Sequence, residues 1–393
     1  MHGPGQEKAE LLIVGASARA AAQSAIAAGF QVTAIDLFGD ADLRSLCEVR
    51  VAQSWPADVP ELAAELSPRL WMYTGALENH PDIIATLSER HHLLGCSGSS
   101  LAAVRDPIAL YEAATREGIL MPETRRASPG ACGELIAGPE NWLRKPVRSA
   151  GGSGICRWPH GEAESCAARE EGSVFQREIV GTSFGAVFLF QQSGYELWGV
   201  TQQLVGLPEL GAAEFQYCGS LGPVELAAEI YDQVRGIGDF LAQRYSFRGL
   251  IGVDFIVSDG RVWLLEVNPR YTASAEVLER ASGISAVAQH AAVCEDAPSR
   301  ISPVLGEACY AKGILFADQR VEISSHLSEH LLVLAKRDRT LADIPTPGTA
   351  IDPGQPILTF FVECDEIDGS IELLRQRAAE LRALVNDGGE AFR

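Results

Sequence analysis

The stretch GLIGVDFIVSDGRVWLLEVNPR, residues 249–270, decides how this chain is read. Two apolar runs flank the turn Ser258-Asp259-Gly260-Arg261, yet Asp254, Glu266 and Asn268 sit inside those runs. In a hairpin, loop length fixes which residues face each other. With a three-residue loop, Asp259-Gly260-Arg261, Gly260 supplies the positive φ that such a loop needs. Val257 then faces Trp263, Phe255 faces Leu265 and Val253 faces Val267, all on one apolar side. The other side pairs Asp254 with Glu266 and Gly252 with Asn268, with Ile256 and Leu264 nearer the turn. A two-residue loop would put Asp254 on the face of Trp263, Leu265 and Val267 and split the acids. The hydrophobic pattern therefore selects the longer loop and predicts an opposed pair of carboxylates.

Like charges directly across a ladder destabilise it, and burying them unpaired is costly. A cation between them resolves both problems. Two acids and an amide form an oxygen-only set, which suits a hard ion such as Mg²⁺. A solvated sheet face would account for one acid, but not for the matched pair with Asn268 two residues on.

The chain has 393 residues, too many for one ordinary core, so roughly two or three domains are expected. Its hydrophobic content of 47% suits a globular protein. A formal charge of −20 argues against nucleic-acid or anionic-membrane partners. The polar start MHGPGQEKAE does not read as a secretion signal, and no run reaches membrane-span length. Nine scattered cysteines without a CxxC pair fit a reducing cytoplasm.

Residues 10–100 alternate strand and helix, with ELLIVGA, QVTAIDLF and LWMYTGA as strands, which predicts a parallel sheet. VGASARA places Gly15 after a strand, but the GxGxxG spacing of a dinucleotide site is missing. Asp106-Pro107 opens a helix. In NWLRKPVRSAGGSGICRWP (141–159) a strand carrying Lys145 runs into a glycine-rich loop, Arg148 to Gly154, and out into a second strand. Such a loop brings backbone amides up to phosphate oxygens while a nearby cation supplies charge. It is not a Walker loop, since no Gly-Lys-Ser/Thr ends it and no helix follows. By itself the segment reads equally well as a flexible hairpin tip. VFQREIVG (174–181) and GAVFLFQQSGYELWGVTQQLVG form further strands, EIYDQVRGIGDFLAQRY (229–245) an amphipathic helix, and IELLRQRAAELRALV a terminal one.

With a parallel-sheet front, a Lys strand before a glycine loop and a late Asp…Glu-x-Asn hairpin, the sequence resembles the ATP-grasp family over about residues 10–300. WLLEVNPR preceded by VDFI is its most specific part. The resemblance implies an ATP-grasp fold of mixed α/β and α+β class. It would have a Rossmann-like pre-ATP-grasp domain (1–100), a small subdomain with the glycine loop (101–175), a large subdomain with the metal hairpin (176–300) and a C-terminal α+β unit (301–393). It implies a cytoplasmic ligase that uses ATP and Mg²⁺ (two ions, Mn²⁺ able to substitute) to join a small-molecule carboxylate to an amine through an acyl phosphate. Asp254, Glu266 and Asn268 resemble its metal ligands, Lys145 its phosphate lysine, and Gly151, Gly152, Ser153 and Gly154, with Arg148 leading in, its phosphate-covering loop. Gln176 and the backbone near Ile179 resemble the adenine hinge, and Arg270 the arginine on the transferred phosphoryl group. Two positions depart from the pattern. Pro107 stands where many relatives carry a basic residue, so either Arg105 substitutes or one phosphate contact is absent. Ser183 stands where a carboxylate often holds the ribose.

NPRYTASAEVLERASG is nearer the carbamoyl-phosphate and purine-type branch than the D-alanine ligase branch. TGALENHPD, LPELGAAEFQYCGSLGP and IPTPGTAIDPGQPI resemble the ATP-grasp proteins of methanofuran- and tetrahydromethanopterin-linked one-carbon metabolism, tyramine–glutamate ligases among them. That likeness implies glutamate joined to an aromatic amine or a growing polyglutamate. Residues 301–393 would complete the substrate pocket or a homodimer interface. A non-catalytic ATP-binding or regulatory protein on the same fold is the alternative in another class. His326, Glu329 and His330 match HxxEH, but a zinc site needs a third, acidic ligand on a further helix, and the match reads as coincidence.

Overall fold

The structure is a computed structural model that describes residues 8–126, 141–158, 172–298, 308–364, 367 and 369–388. The buried runs ELLIVG and QVTAID form the middle of a five-stranded sheet, all of it parallel. Its order is Glu48–Val51, Gln31–Asp36, Glu10–Gly15, Leu70–Tyr73, His92–Leu93, as strand–helix alternation demands. The helix Arg19–Ala27 follows the first strand, with small alanines at its buried positions. Those alanines let it pack closely on the helix Ala286–Cys294, where the Ser24 hydroxyl accepts from the Val287 amide at 3.0 Å.

A four-stranded antiparallel sheet orders Thr124–Arg126, Ser173–Arg177, Trp142–Pro146 and Cys156–Trp158. The third sheet has eight strands in the order Arg261–Asn268, Gly249–Ser258, Thr182–Gln191, Gly194–Val205, Tyr217–Gly222, Cys309–Phe316, Pro356–Cys364, Leu341–Ala342. Phe188 and Phe190 on one face meet Val234, Ile237, Phe240 and Leu241 of the helix Ala228–Arg244. Val187, Leu189 and Trp198 on the other face meet Leu278 of the helix Ala273–Ser282 and the front sheet's Leu11 and Ile13. Alternating strand residues thus bury both faces, and one apolar cluster fuses the front unit to the large sheet.

Of the expected boundaries, 100/101 falls inside the helix Gly98–Arg105 and 175/176 inside the strand Ser173–Arg177. The third, 300/301, lies outside the described residues. Downstream of it, Cys309–Phe316 pairs with Tyr217–Gly222, so three tail strands, Cys309–Phe316, Pro356–Cys364 and Leu341–Ala342, extend the large sheet, while Val321–Glu322 and Ala350–Ile351 pair in a two-stranded sheet of their own. His326, Glu329 and His330 lie on the helix Ser325–Asp338, with His326 and Glu329 exposed. Among the described residues no group of three or more His, Cys, Asp or Glu side chains could hold a metal ion, and no helix is long and apolar enough to cross a membrane.

Candidate functional site

The hairpin register departs from the expected one in an instructive way. Asp254 pairs with Glu266 and Gly252 with Asn268, as predicted, but nearer the turn Phe255 pairs with Leu264, Ile256 with Trp263 and Val257 with Val262. The loop is therefore two residues, Asp259 (φ 48°) and Gly260 (φ 71°), both left-handed as a type I′ turn requires. A β-bulge at Leu265 absorbs the odd residue. The tight turn and the carboxylate pair, which the sequence set against each other, coexist because the ladder skips one position.

Asp254 accepts from Gln203 Nε2 at 2.7 Å and from Asn268 Nδ2 at 2.9 Å. Burial, then the neighbouring Glu266 charge, pushes its carboxyl up to about 7. Burial acts on Glu266 in the same direction, but the charges of Arg105 and Lys145 outweigh it and hold that carboxyl below its ordinary range. The two opposed acids and the Asn268 amide form one site at the base of the hairpin. Its donors are all oxygen, two carboxylates and the Asn268 amide, so a hard divalent ion fits.

Lys145, on the strand Trp142–Pro146, donates from Nζ to Gln176 Oε1 at 3.0 Å. Burial lowers its ammonium pKa, against the pull of Glu266 and Asp254. Gln176 is only 3% exposed, and its amide nitrogen donates to Thr124 Oγ1 at 3.1 Å. Its side chain thus holds Lys145 in place. Lys145, Gln176, Gly151, Gly152 and Glu266 line one cleft, joined by Arg105, Pro107, Leu110 and Met121. Arg148, Ser153, Gly154 and Ile179 do not line it, and Arg148 and Ser153 are exposed.

The glycine loop is seated on residues 213–217. Gly151 O accepts from the Tyr217 amide at 3.0 Å. Gly152, at φ 78°, comes so close that a Cβ would lie 1.9 Å from Phe215 O. Here only glycine fits, for conformation and for space. Asp106 caps the helix Pro107–Arg116, accepting from the Ile108 and Ala109 amides at 2.9 and 3.2 Å.

Arg270 leaves the metal strand and donates from Nε to Glu78 Oε1 at 2.7 Å and from Nη2 to Asn268 Oδ1 at 3.3 Å. Glu78 is 1% exposed, and its neighbour Asn79 accepts from Arg105 Nη2 at 2.7 Å. Sequence reasoning missed Glu78 and Asn79; their stretch, TGALENHPD, has no periodicity to flag them. It also missed a buried charge cluster that spans the front unit, the large sheet and the tail. Arg19, 2% exposed, ion-pairs with Glu276 and, at 2.9 Å, with Asp343, while Lys312 Nζ donates to Glu276 at 2.6 Å. Those four residues are so far apart in the chain that only the fold joins them.

Known proteins share this architecture. Residues 104–274 match the family described as ATP-grasp domain. An uncharacterized protein of Methanocaldococcus jannaschii is 22% identical over 214 residues, 54% of this chain and 48% of that one. The carbamoyl phosphate synthase large chain of Neisseria meningitidis is 38% identical over 65 residues, 16% of this chain and 6% of that one. The chain thus spans about half the length of the first relative (48%) and a small part of the second (6%). Among solved structures, carboxyaminoimidazole ribonucleotide synthase from Aspergillus clavatus, complexed with ATP, aligns with a TM-score of 0.72 at 12% identity, covering 96% of this chain and 99% of that one. The biotin carboxylase domain dimer of Hydrogenobacter thermophilus 2-oxoglutarate carboxylase, in complex with MgADP and bicarbonate, gives 0.68 at 13%, covering 98% and 96%. At these identities the likeness is one of fold.

Proposed function

From its membership of the ATP-grasp superfamily, by domain and by fold, we propose that this chain is an ATP-dependent carboxylate–amine ligase that works through an acyl phosphate. One observation carries the reading. Asp254 and Glu266 face each other across the ladder beside the Asn268 amide, and Glu266 shares a cleft with Lys145 under a seated glycine loop. Phosphoryl transfer needs positioning and charge neutralisation more than acid–base groups, and this site offers the former.

In this reading Asp254, Glu266 and Asn268 hold Mg²⁺, which supplies charge neutralisation at the phosphates. Lys145, held by Gln176, neutralises the nucleotide's phosphate oxygens, and the loop at Gly151 and Gly152 covers them and excludes water. Arg270, fixed by Glu78, faces the transferred phosphoryl group and the acyl phosphate. The adenine lies toward Gln176 and Ile179, where backbone groups serve it better than the Gln176 amide, which is already bonded on both sides.

We further assign the substrates to glutamate and an aromatic amine or amino acid, on the likeness of TGALENHPD and the C-terminal segment to methanofuran-linked ligases. The short stretch shared with carbamoyl phosphate synthase favours a second reading, an enzyme of carbamoyl-phosphate or purine type. The test is ADP and phosphate release with Mg·ATP across a panel of acids and amines. Glutamate with tyramine heads the panel, bicarbonate is included, and mass spectrometry identifies the product. ADP release that requires one acid and one amine, with the matching amide, is expected. Nucleotide binding without turnover for any pair would remove the ligase activity, and no nucleotide binding at all would remove the ATP site.

A further inference from the structure

Arg105 closes the helix Gly98–Arg105, and its guanidinium is 10% exposed. From Nη1 it ion-pairs with Glu266 Oε1 and reaches Asn268 Oδ1 at 3.4 Å; from Nη2 it donates to Asn79 Oδ1 at 2.7 Å. Its Nε is buried without a hydrogen-bond partner among the described residues. The side chain also lines the cleft that holds Lys145 and the glycine loop. These facts conflict with a merely structural ion pair. Glu266 Oε1 and Asn268 Oδ1 are two of the oxygens a divalent ion would need, and one Arg105 nitrogen sits against both. A buried orphan N–H beside them is a donor with nothing yet to donate to, which a native structure rarely tolerates without a use.

We propose that Arg105 is a resident cation at the metal position. It neutralises Glu266 while the site is empty and gives up these oxygens when a divalent ion arrives with the nucleotide. The proposal rests on the metal reading above and deepens it. A guanidinium cannot lose its charge in a protein, so it leaves only by moving, and the cleft offers it anionic oxygens once phosphates are there. Metal alone must displace Arg105 without that compensation and binds weakly. Metal with nucleotide exchanges one set of partners for another and binds tightly. Pairing through Asn79 further ties the front unit's loop to this exchange.

The experiment is a titration of free Mn²⁺, followed by electron paramagnetic resonance, on the full chain with and without ATP. Arg105→Met removes the charge, Arg105→Gln removes it but keeps a donor for Asn79, and Arg105→Lys keeps it; circular dichroism verifies folding. Without nucleotide, the Met and Gln variants should bind Mn²⁺ at least about tenfold tighter than the parent, and the Lys variant should match the parent. With ATP, the Met and Gln variants should lose most of the gain that nucleotide gives the parent. Equal or weaker Mn²⁺ binding in whichever neutral variant folds would overturn the role of Arg105 and leave the metal site standing. No Mn²⁺ binding in the parent even with ATP would overturn the metal reading, and this role with it.

Discussion

Asp254 faces Glu266 across the ladder because Leu265 is left out of it. The two-residue turn alone would give the opposite result, since a register slip of one sends every side chain to the other face. One bulged residue restores the alignment, and the pair then stands where Arg105 and Lys145 act on Glu266. Bulges beside functional residues commonly re-aim a side chain, and this one sets the spacing of the site.

The first prediction concerns that pair. Glu266→Gln keeps an acceptor for Arg105, so the fold should hold. Turnover should fall by about 10³-fold, the scale of losing a main electrostatic contact in phosphoryl transfer. Steady-state ADP release together with a melting curve checks it; a stable variant with undiminished turnover would remove Glu266 from the site. Glu266→Ala is the poorer variant, because it strands the nearly buried Arg105 charge.

Gly152→Ala should separate loop closure from folding. Its Cβ would collide with Phe215 O, and φ 78° disfavours any side chain. The loop should be held off residues 213–217, weakening nucleotide binding by about tenfold or more while the melting temperature barely moves. Calorimetric titration with ADP reads the first and differential scanning the second.

Glu276→Leu should be among the most damaging changes outside the cleft. It leaves Arg19 and Lys312 with a buried excess of positive charge, and such losses cost about 3–5 kcal/mol. Urea unfolding measures it. Adding Lys312→Met should recover part of the loss, because Arg19 keeps Asp343 and the cation left without a carboxylate is then gone.

The histidine at the front-unit seam predicts a pH dependence. His290 is buried, accepts from the Leu250 amide at Nδ1 (2.9 Å) and meets Leu94 O at Nε2 (3.0 Å), an arrangement that needs the neutral ring. Burial lowers its pKa from 6.5 to about 4. Between those values the unfolded chain binds a proton that the native state refuses, so stability falls as pH drops from 6.5 toward 4, by about 3 kcal/mol from this group. His290→Asn can still accept from the Leu250 amide and does not titrate. Its stability should change less than the parent's between pH 7 and pH 4.5, and equal slopes would refute the assignment.

Much of this was legible in the sequence, for identifiable reasons. Period-two alternation in VDFIV and WLLEV placed the acids on one face, and strand–helix alternation gave the parallel sheet. Lys145 beside Gly151 and Gly152 was visible as a strand running into glycines. The bulge at Leu265 was not, because one extra residue in an apolar run leaves no mark on composition. Arg105 could be suspected from Pro107, but its contacts with Glu266 and Asn79 depend on three elements far apart in sequence. Arg148 and Ser153 were included because loops are read as units, whereas the folded loop presents only part of itself to the cleft. That Cys309–Phe316 and Pro356–Cys364 join the large sheet was not legible, because pairing with Tyr217–Gly222, far away in the chain, leaves no local mark.

Those two strands have a consequence for handling the chain. Cys309–Phe316 covers the otherwise bare edge of Tyr217–Gly222, whose flanking loop supports Gly151 and Gly152. Cutting the tail away would expose a row of unpaired amides and carbonyls next to apolar side chains, a template for strand addition by other copies. Shortened versions ending near residue 300 should therefore aggregate before their chemistry can be assayed, which makes the tail a solubility element of the large sheet.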